Sequence, residues 1–265
     1  MIIDCHAHVF PDELAPKAMK KLTESIDNLY TPVHDGTVSG LIESMDRCSV
    51  GISVICPVIT KKAHVRKTNE WVRSVCSERI IGFGGIYPHE GDCKPDIDHA
   101  VSLGLKGLKF HAEYQEFVLD DDKMLKIYDY ALNKGLILLH HAGFDPAYPP
   151  PYRSTPQKFA SIAARLKGGT VIAAHLGGHA QWDDVERYLP GSGIYLDTSM
   201  GFEYFSEAQF LSIAKSHGTD KILFGSDSPW SDAKTEIEHL KALPLAGGDI
   251  SAMLGENAKR IFKIQ

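Results

Sequence analysis

Short apolar segments recur along the chain, and each is followed by a stretch with helical periodicity. Segments such as GISVICPVI, IIGFGGIY and GLILL are apolar at nearly every position, which is typical of parallel strands covered on both faces. Strand and helix alternate throughout, so βαβ units and an α/β fold are expected. The predicted strands begin near Ile2, Ile52, Ile80, Leu105, Leu136, Thr170, Gly193 and Lys221.

The joins between these elements are too tight for a domain linker, so residues 1–265 are expected to form one barrel-type domain. Thr37 is a candidate N-cap, and Gly135 stands where a left-handed C-cap belongs. Two longer connections interrupt the pattern. Residues 9–36 form an insertion with an extra helical stretch from Glu13 to Ile26, and the Pro-rich segment 144–156 is irregular. Both are expected to lie over the active-site mouth of a barrel.

Composition narrows the classes of partner. The chain has 28 Lys and Arg against 34 Asp and Glu and no basic run, which argues against nucleic acid or an anionic membrane as partner. No long apolar span or signal-peptide pattern is seen, and the 5 cysteines are scattered, so a cytoplasmic location is expected. The expected partner is a small-molecule substrate, and pairing into a homodimer is possible.

Histidines stand at several predicted strand ends. In the first strand, alternation places Asp4, His6 and His8 on one face and Ile3, Cys5 and Ala7 on the other, with the two imidazoles roughly 7 Å apart along the strand. Such a pair suits a divalent ion. The carboxyl ends of barrel strands converge, and there the chain also places His141 (LLHHAG), His175 (AAHLGGH) and Asp227 (FGSDSPW). Together they predict a metal site.

The expected substrate pocket draws on other strand ends and loops. Lys109 and His111 share the inward face of the fourth strand, KGLKFHAEYQEF, and are assigned to the pocket. Arg153, in the Pro-rich loop, could clamp a substrate carboxylate or remain a solvated charge. Trp230 follows the eighth strand and could line the pocket, although such aromatic residues also serve to plug a barrel mouth or form an oligomer contact.

The order HxH, LLHHAG, AHLGG, FGSDSPW and GENAKRIF, running from Ile3 to Phe262, resembles the amidohydrolase-related branch of the amidohydrolase superfamily, which includes aminocarboxymuconate-semialdehyde decarboxylase. The resemblance implies a distorted (β/α)8 TIM barrel with a catalytic divalent metal ion. By position, the residues that resemble the metal ligands are His6, His8, His141 and Asp227. His175 resembles the histidine that acts beside the metal, so His175 and Asp227 are the catalytic candidates.

These features predict a metal-dependent hydrolase that uses a metal-activated water on a C–N or C–O bond of a small amide, ester or lactone. The alternative is a metal-dependent decarboxylase of a small unsaturated or aromatic carboxylic acid, and a second alternative is a catalytically silent barrel used for binding. One divalent ion is expected, zinc first, with manganese, iron or cobalt as alternatives. Some members of the superfamily carboxylate a lysine at the position of Lys109 to bridge two metals, which leaves a second ion open.

Overall fold

The computed structural model describes residues 1–264, and in them eight parallel strands form one sheet in the order β1 to β8. The strands are β1 Ile2–Ala7, β2 Val50–Ile55, β3 Ile80–Gly84, β4 Gly107–Phe110, β5 Ile137–His140, β6 Val171–Ala173, β7 Tyr195–Asp197 and β8 Ile222–Leu223. The helices are α1 Ala15–Ser25, α2 Val38–Cys48, α3 Val65–Val75, α4 Lys94–Ser102, α5 Asp122–Asn133, α6 Pro156–Arg165, α7 Trp182–Tyr188, α8 Glu207–His217, α9 Ala233–Ala242, α10 Gly247–Ser251 and α11 Asn257–Phe262.

Backbone hydrogen bonds join the segment after β8 to β1. The amide of Cys5 donates to the carbonyl of Phe224 at 2.9 Å, and the amide of Asp227 donates to the carbonyl of His6 at 2.8 Å. The last strand therefore meets the first, and the predicted single-domain (β/α)8 barrel is confirmed. None of the helices in residues 1–264 is both long enough and apolar enough to cross a membrane.

The local signals in the sequence place the elements well. Each strand begins within 2 residues of its predicted start. Thr37 caps α2 by accepting a hydrogen bond from the amide of Gly40 at 3.0 Å, as predicted. Gly135, with φ of 81°, ends α5 as predicted. The extra helical stretch of the first connection is α1, Ala15–Ser25.

The face assignment in β1 was wrong in part. Ile3 and Cys5, which alternation places opposite His6, pack into a buried cluster with residues such as Val54 and Leu139 inside the barrel. The pairing of β1 with β2 shifts register between Asp4 and Ala7. Such a bulge inserts an extra residue and re-aims the side chains that follow it. The bulge allows Ile3 and Cys5 to fill the barrel while the imidazole of His6 also faces the barrel axis.

Candidate metal centre

Three side chains converge where β1 and β8 end. The Oδ1 atom of Asp227 lies 3.2 Å from His6 Nε2 and 3.0 Å from His8 Nε2, and the two Nε2 atoms are 3.2 Å apart. Asp227 has a φ of 63°, a left-handed conformation that an Asp tolerates better than most residues and that turns its carboxylate toward β1. Three features therefore position these side chains: the hydrogen bond from Asp227 to His6 that joins β8 to β1, the bulge in β1, and the left-handed conformation of Asp227.

The chemistry of these donors fits a divalent cation. His6 Nδ1 lies 3.1 Å from Oδ2 of Asp197, and a carboxylate only accepts, so the proton of His6 sits on Nδ1. Its Nε2 then presents a lone pair toward the oxygen of Asp227. Two such acceptors face each other favourably only with a cation nearby, which can be the ammonium of Lys109 or a bound metal ion, and two imidazoles with a carboxylate suit zinc or manganese.

The protonation states favour metal binding. Burial lowers the pKa of His6, and the positive charge of Lys109 lowers it further, so the imidazole is neutral at pH 7. Burial works against ionisation of Asp227, but His6 and His8 outweigh it and hold the pKa of this carboxyl well below its usual range. Neutral imidazoles and an ionised carboxylate are the forms that bind metal.

His141 and His175 form a second contact beside this group. Nδ1 of His141 lies 3.1 Å from Nε2 of His175, and the ring of His175 is 5.6 Å from that of His6. The possible ligand atoms of His141, His111 and Asp145 all lie within 4.8 Å of one another. His141 was predicted as a fourth ligand of the His6 group, and that assignment stays a prediction.

The tautomer of His175 follows from its backbone partner. Its Nδ1 lies 3.1 Å from the carbonyl oxygen of Ser199, which only accepts, so Nδ1 carries the proton. Its Nε2 is then the acceptor for the N–H of His141. Burial lowers the pKa of both rings, so at pH 7 each is neutral. His175 can therefore take up a proton at Nε2, the chemistry expected of a catalytic histidine.

Lys109 lies directly at the candidate metal group. Its Nζ is 2.7 Å from His6 Nε2, the side chain is 1% exposed, and no carboxylate of residues 1–264 is within ion-pair distance of it. Burial lowers its pKa. His111 is also buried, with Nε2 3.1 Å from Oδ2 of Asp145 and its ring stacked on His141 at 4.1 Å. Both predicted pocket residues therefore face the site.

The other two predicted pocket residues lie farther out. Arg153 is half-buried; its amide donates to Oε1 of Glu113 at 2.7 Å, and within residues 1–264 its guanidinium forms no ion pair. Trp230 is half-buried and linked to the site through its amide, which donates to the carbonyl of Asp227 at 3.0 Å. The roles of these two side chains stay predictions.

Several site residues were missed by sequence reasoning. Asp197 ends β7 in the segment YLDTSM, so the strand-end argument used for the other ligands could have found it. Asp145 gave no such signal, because it lies in an irregular loop. Tyr30, from the first long connection, packs edge-on against Tyr204 with ring centres 6.4 Å apart. Burial raises the pKa of Tyr30, and Tyr204, Asp227 and Asp145 raise it further.

A parallel barrel with a cluster of histidines and aspartates at the carboxyl ends of its strands defines a class of metal-dependent barrel proteins. Within that class, the chain belongs to the amidohydrolase family, because the family model described as "Amidohydrolase" matches residues 3–264. The resemblance noted from the motifs is thereby confirmed. A search of curated protein sequences gave no match.

Solved structures with the same barrel are similar over nearly their whole length. One is the 5-carboxyvanillate decarboxylase LigW from Sphingomonas paucimobilis, at 15% identity and a TM-score of 0.75, covering 100% of this chain and 99% of the other. A 2,6-dihydroxybenzoate decarboxylase from Rhizobium has 15% identity and a TM-score of 0.67, with 99% and 98% covered. A probable 2-pyrone-4,6-dicarboxylic acid hydrolase from Acinetobacter baumannii has 14% identity and a TM-score of 0.67, with 99% of each chain covered.

Proposed function

We propose that this protein is a metal-dependent decarboxylase of a small aromatic or unsaturated carboxylic acid. The observation that carries the proposal is the group of His6, His8 and Asp227, of which His6 and Asp227 are buried, with the amine of Lys109 beside it. Such a site combines donors for a divalent ion with a cationic group able to face a carboxylate. The proposal thus favours the alternative from the sequence over its first expectation of a hydrolase, and the similar decarboxylase structures support that choice.

The residues of the chain divide the work as follows. His6, His8 and Asp227 would hold the ion, and His141 is the candidate fourth ligand. When bound, a zinc or manganese ion supplies positive charge that holds oxygen atoms of the substrate and stabilises the electrons left when the carboxylate departs. Manganese is bound in one similar decarboxylase structure, which supports this choice of metals.

Loss of CO₂ from a carboxylate requires that a proton replace it on the same carbon. Asp227 is suited to carry this proton, because Oδ1 faces His6 and His8 while Oδ2 has no partner among them. Because Asp227 is ionised at rest, it must first take a proton from solvent. Its low pKa then makes the protonated form a strong acid, able to give the proton to a carbon atom. His175, whose neutral Nε2 lies 3.1 Å from Nδ1 of His141, is placed to take up a proton from its neighbours and pass it to the site between turnovers.

Hydrolysis is the second candidate, because the same neutral His175 could accept a proton from water. The similarity to a probable 2-pyrone-4,6-dicarboxylic acid hydrolase also supports it. The two reactions leave different products, since hydrolysis of a lactone releases no CO₂. They therefore separate in one assay.

The test uses protein purified without chelator and then loaded with zinc or manganese. We expect about one ion per chain and CO₂ release from 2,6-dihydroxybenzoate or 5-carboxyvanillate. The bound ion and the CO₂ release should both be lost in Asp227→Asn. Both should be kept in the control Asp220→Asn, which changes an exposed aspartate. Opening of 2-pyrone-4,6-dicarboxylate without CO₂ release from any acid would instead establish the hydrolase. Turnover in the fully chelated protein would refute both metal-dependent mechanisms.

A further inference from the structure

We propose that His179 is a substrate-positioning residue, whose imidazole forms a hydrogen bond with an oxygen of a planar aromatic acid lying against the aromatic wall of the mouth. The aromatic wall is the set Phe144, Trp182 and Tyr204, which surrounds His179. The inference rests on the proposed function for its substrate class. It assigns a role to the last residue of the segment AAHLGGH, which neither the motif argument nor the metal group uses.

The position of His179 places it between the catalytic histidine and the aromatic wall. Its ring centre is 5.7 Å from that of His175, with the rings at 88°. It stacks on Phe144 at 5.7 Å and 23°, and meets Trp182 at 5.5 Å and Tyr204 at 5.0 Å. A ligand that is hydrogen-bonded to the imidazole of His179 would therefore also lie close to His175.

The ring nitrogens of His179 are uncommitted. The residue is 5% exposed, yet within residues 1–264 neither nitrogen has a hydrogen-bond partner. Other buried histidines differ: both nitrogens of His217 bind backbone carbonyls, at 3.0 and 2.8 Å. Neither nitrogen of His179 is fully buried, whereas Nε2 of His140 and of His141 is. The polar edge of His179 is therefore still accessible to a ligand.

The backbone fixes this imidazole in place. The amide of His179 donates to the carbonyl of Ala142 at 2.8 Å, and its carbonyl accepts from the amide of Phe144 at 3.0 Å. Between them, Gly143 has a φ of 84°, and a Cβ atom there would lie 2.4 Å from the nitrogen of His179. Only glycine fits so close a contact. A side chain held this way suits positioning, because little freedom is lost when a ligand binds.

The surroundings indicate the kind of ligand. Flat aromatic side chains stack favourably on a planar ring. Burial keeps the imidazole of His179 neutral at pH 7, so it offers one N–H donor and one lone pair. A phenol or carboxylate oxygen accepts from such a donor. A planar acid that bears a ring oxygen satisfies both the wall and the imidazole, whereas an aliphatic amide satisfies only the hydrogen bond.

The test measures binding directly, with 3-methoxy-4-hydroxy-5-nitrobenzoic acid as the probe, the acid bound in one similar decarboxylase structure. Calorimetry uses the metal-loaded full chain. We expect His179→Phe, which keeps the aromatic wall filled, to weaken binding about tenfold, the effect of one lost hydrogen bond, and His179→Gln to restore part of it. The control His99→Phe makes the same change on α4, outside the aromatic wall, and should leave the affinity unchanged.

Kinetics supply the second readout. With 2,6-dihydroxybenzoate as substrate, we expect His179→Phe to raise KM about tenfold with a kcat within about threefold, because a positioning contact exists before and during the reaction. Equal affinity of His179→Phe and the parent protein for the probe would overturn the inference. So would failure of the parent protein to bind the probe.

These outcomes separate the two proposals. Probe binding that depends on His179 without CO₂ release from any acid would keep the inference and reject the decarboxylase. CO₂ release with probe affinity and KM unchanged in His179→Phe would keep the decarboxylase and reject the inference. Thermal melts of each variant exclude misfolding as the cause, and recovery in His179→Gln would not be expected of a purely structural role.

Discussion

At the scale of single residues, the position of one proton decides whether His6 can bind a metal. Oδ2 of Asp197 holds that proton on Nδ1 at 3.1 Å, which leaves Nε2 with a lone pair that can bind a cation. Burial raises the pKa of Asp197, but His6 outweighs it and lowers the pKa to about 2. The aspartate is therefore ionised at any working pH, and it acts through the histidine rather than on the metal.

We predict that Asp197→Asn lowers metal affinity about 10- to 100-fold, because the amide can present an N–H to Nδ1 and move the proton to Nε2. Competition between the protein and a chromophoric chelator for zinc at pH 7.5 measures this. Ser199→Ala is the matched control, since it removes a neighbouring hydroxyl 3.2 Å from the same Nδ1 and keeps the carboxylate. Metal affinities of parent and Asp197→Asn within twofold would show that the tautomer is fixed in another way.

At the scale of elements, a buried asparagine ties the last helix to the barrel. Asn257, at the start of α11 and 1% exposed, donates from Nδ2 to the carbonyls of Thr219 and Ile222, each at 2.8 Å. We predict that Asn257→Ala lowers the free energy of unfolding by about 2 to 4 kcal/mol, because two carbonyls lose their partner. Urea denaturation measures the loss. Asn133→Ala, at the exposed end of α5, should cost under about 1 kcal/mol, and an equal cost would contradict the argument.

Helix α9 carries a buried acid whose effect depends on pH. Ser231 donates to Oε1 of Glu236 at 2.9 Å, and burial raises the pKa of this carboxyl to about 8. Between the ordinary value of 4.5 and about 8, the folded protein holds a proton that the unfolded chain has released. The stability contribution of Glu236 is therefore full below about 4.5 and is lost as the pH rises through about 8.

We predict that Glu236→Gln, which stays neutral, gains stability relative to the parent protein as the pH rises, by a few kcal/mol at pH 9. Unfolding free energies from urea titrations at pH 6, 7.5 and 9 give the difference. A constant difference between the two proteins across this range would mean that Glu236 is already ionised in the folded state.

At the scale of the whole molecule, the barrel and the neighbourhood of the site follow from local patterns. Apolar runs mark the strands, and parallel order then brings the residues after each strand to one end. Contacts between segments that are distant in the sequence could not be predicted in this way. The bulge in β1, the pairing of His141 with His175 and the clamp on His179 depend on how neighbouring strands and loops pack, which no local pattern encodes.

The same convergence collects many buried histidines at one end of the barrel, with a consequence for stability in acid. Burial lowers the pKa of His140 and of His179 to about 3, and also lowers the pKa of His111 and His175. Below about pH 6.5 these histidines bind protons in the unfolded chain, whereas in the folded protein they stay neutral. Stability from this source is full above about pH 6.5 and is lost as the pH falls toward the lowered values.

We predict that the chelator-treated protein loses about 1.4 kcal/mol per such histidine between pH 7.5 and 5.5, several kcal/mol in total. The variant His140→Phe isolates the contribution of one histidine. The ring of His140 stacks on Phe110 at 4.8 Å and packs against Tyr128 and Phe159, so a phenyl group suits the same position. A phenyl group binds no proton in the folded or the unfolded state. Urea titrations should show this variant gaining about 1.4 kcal/mol on the parent protein between the two pH values. If the difference stays constant instead, His140 is protonated in the folded barrel and its burial does not set its pKa.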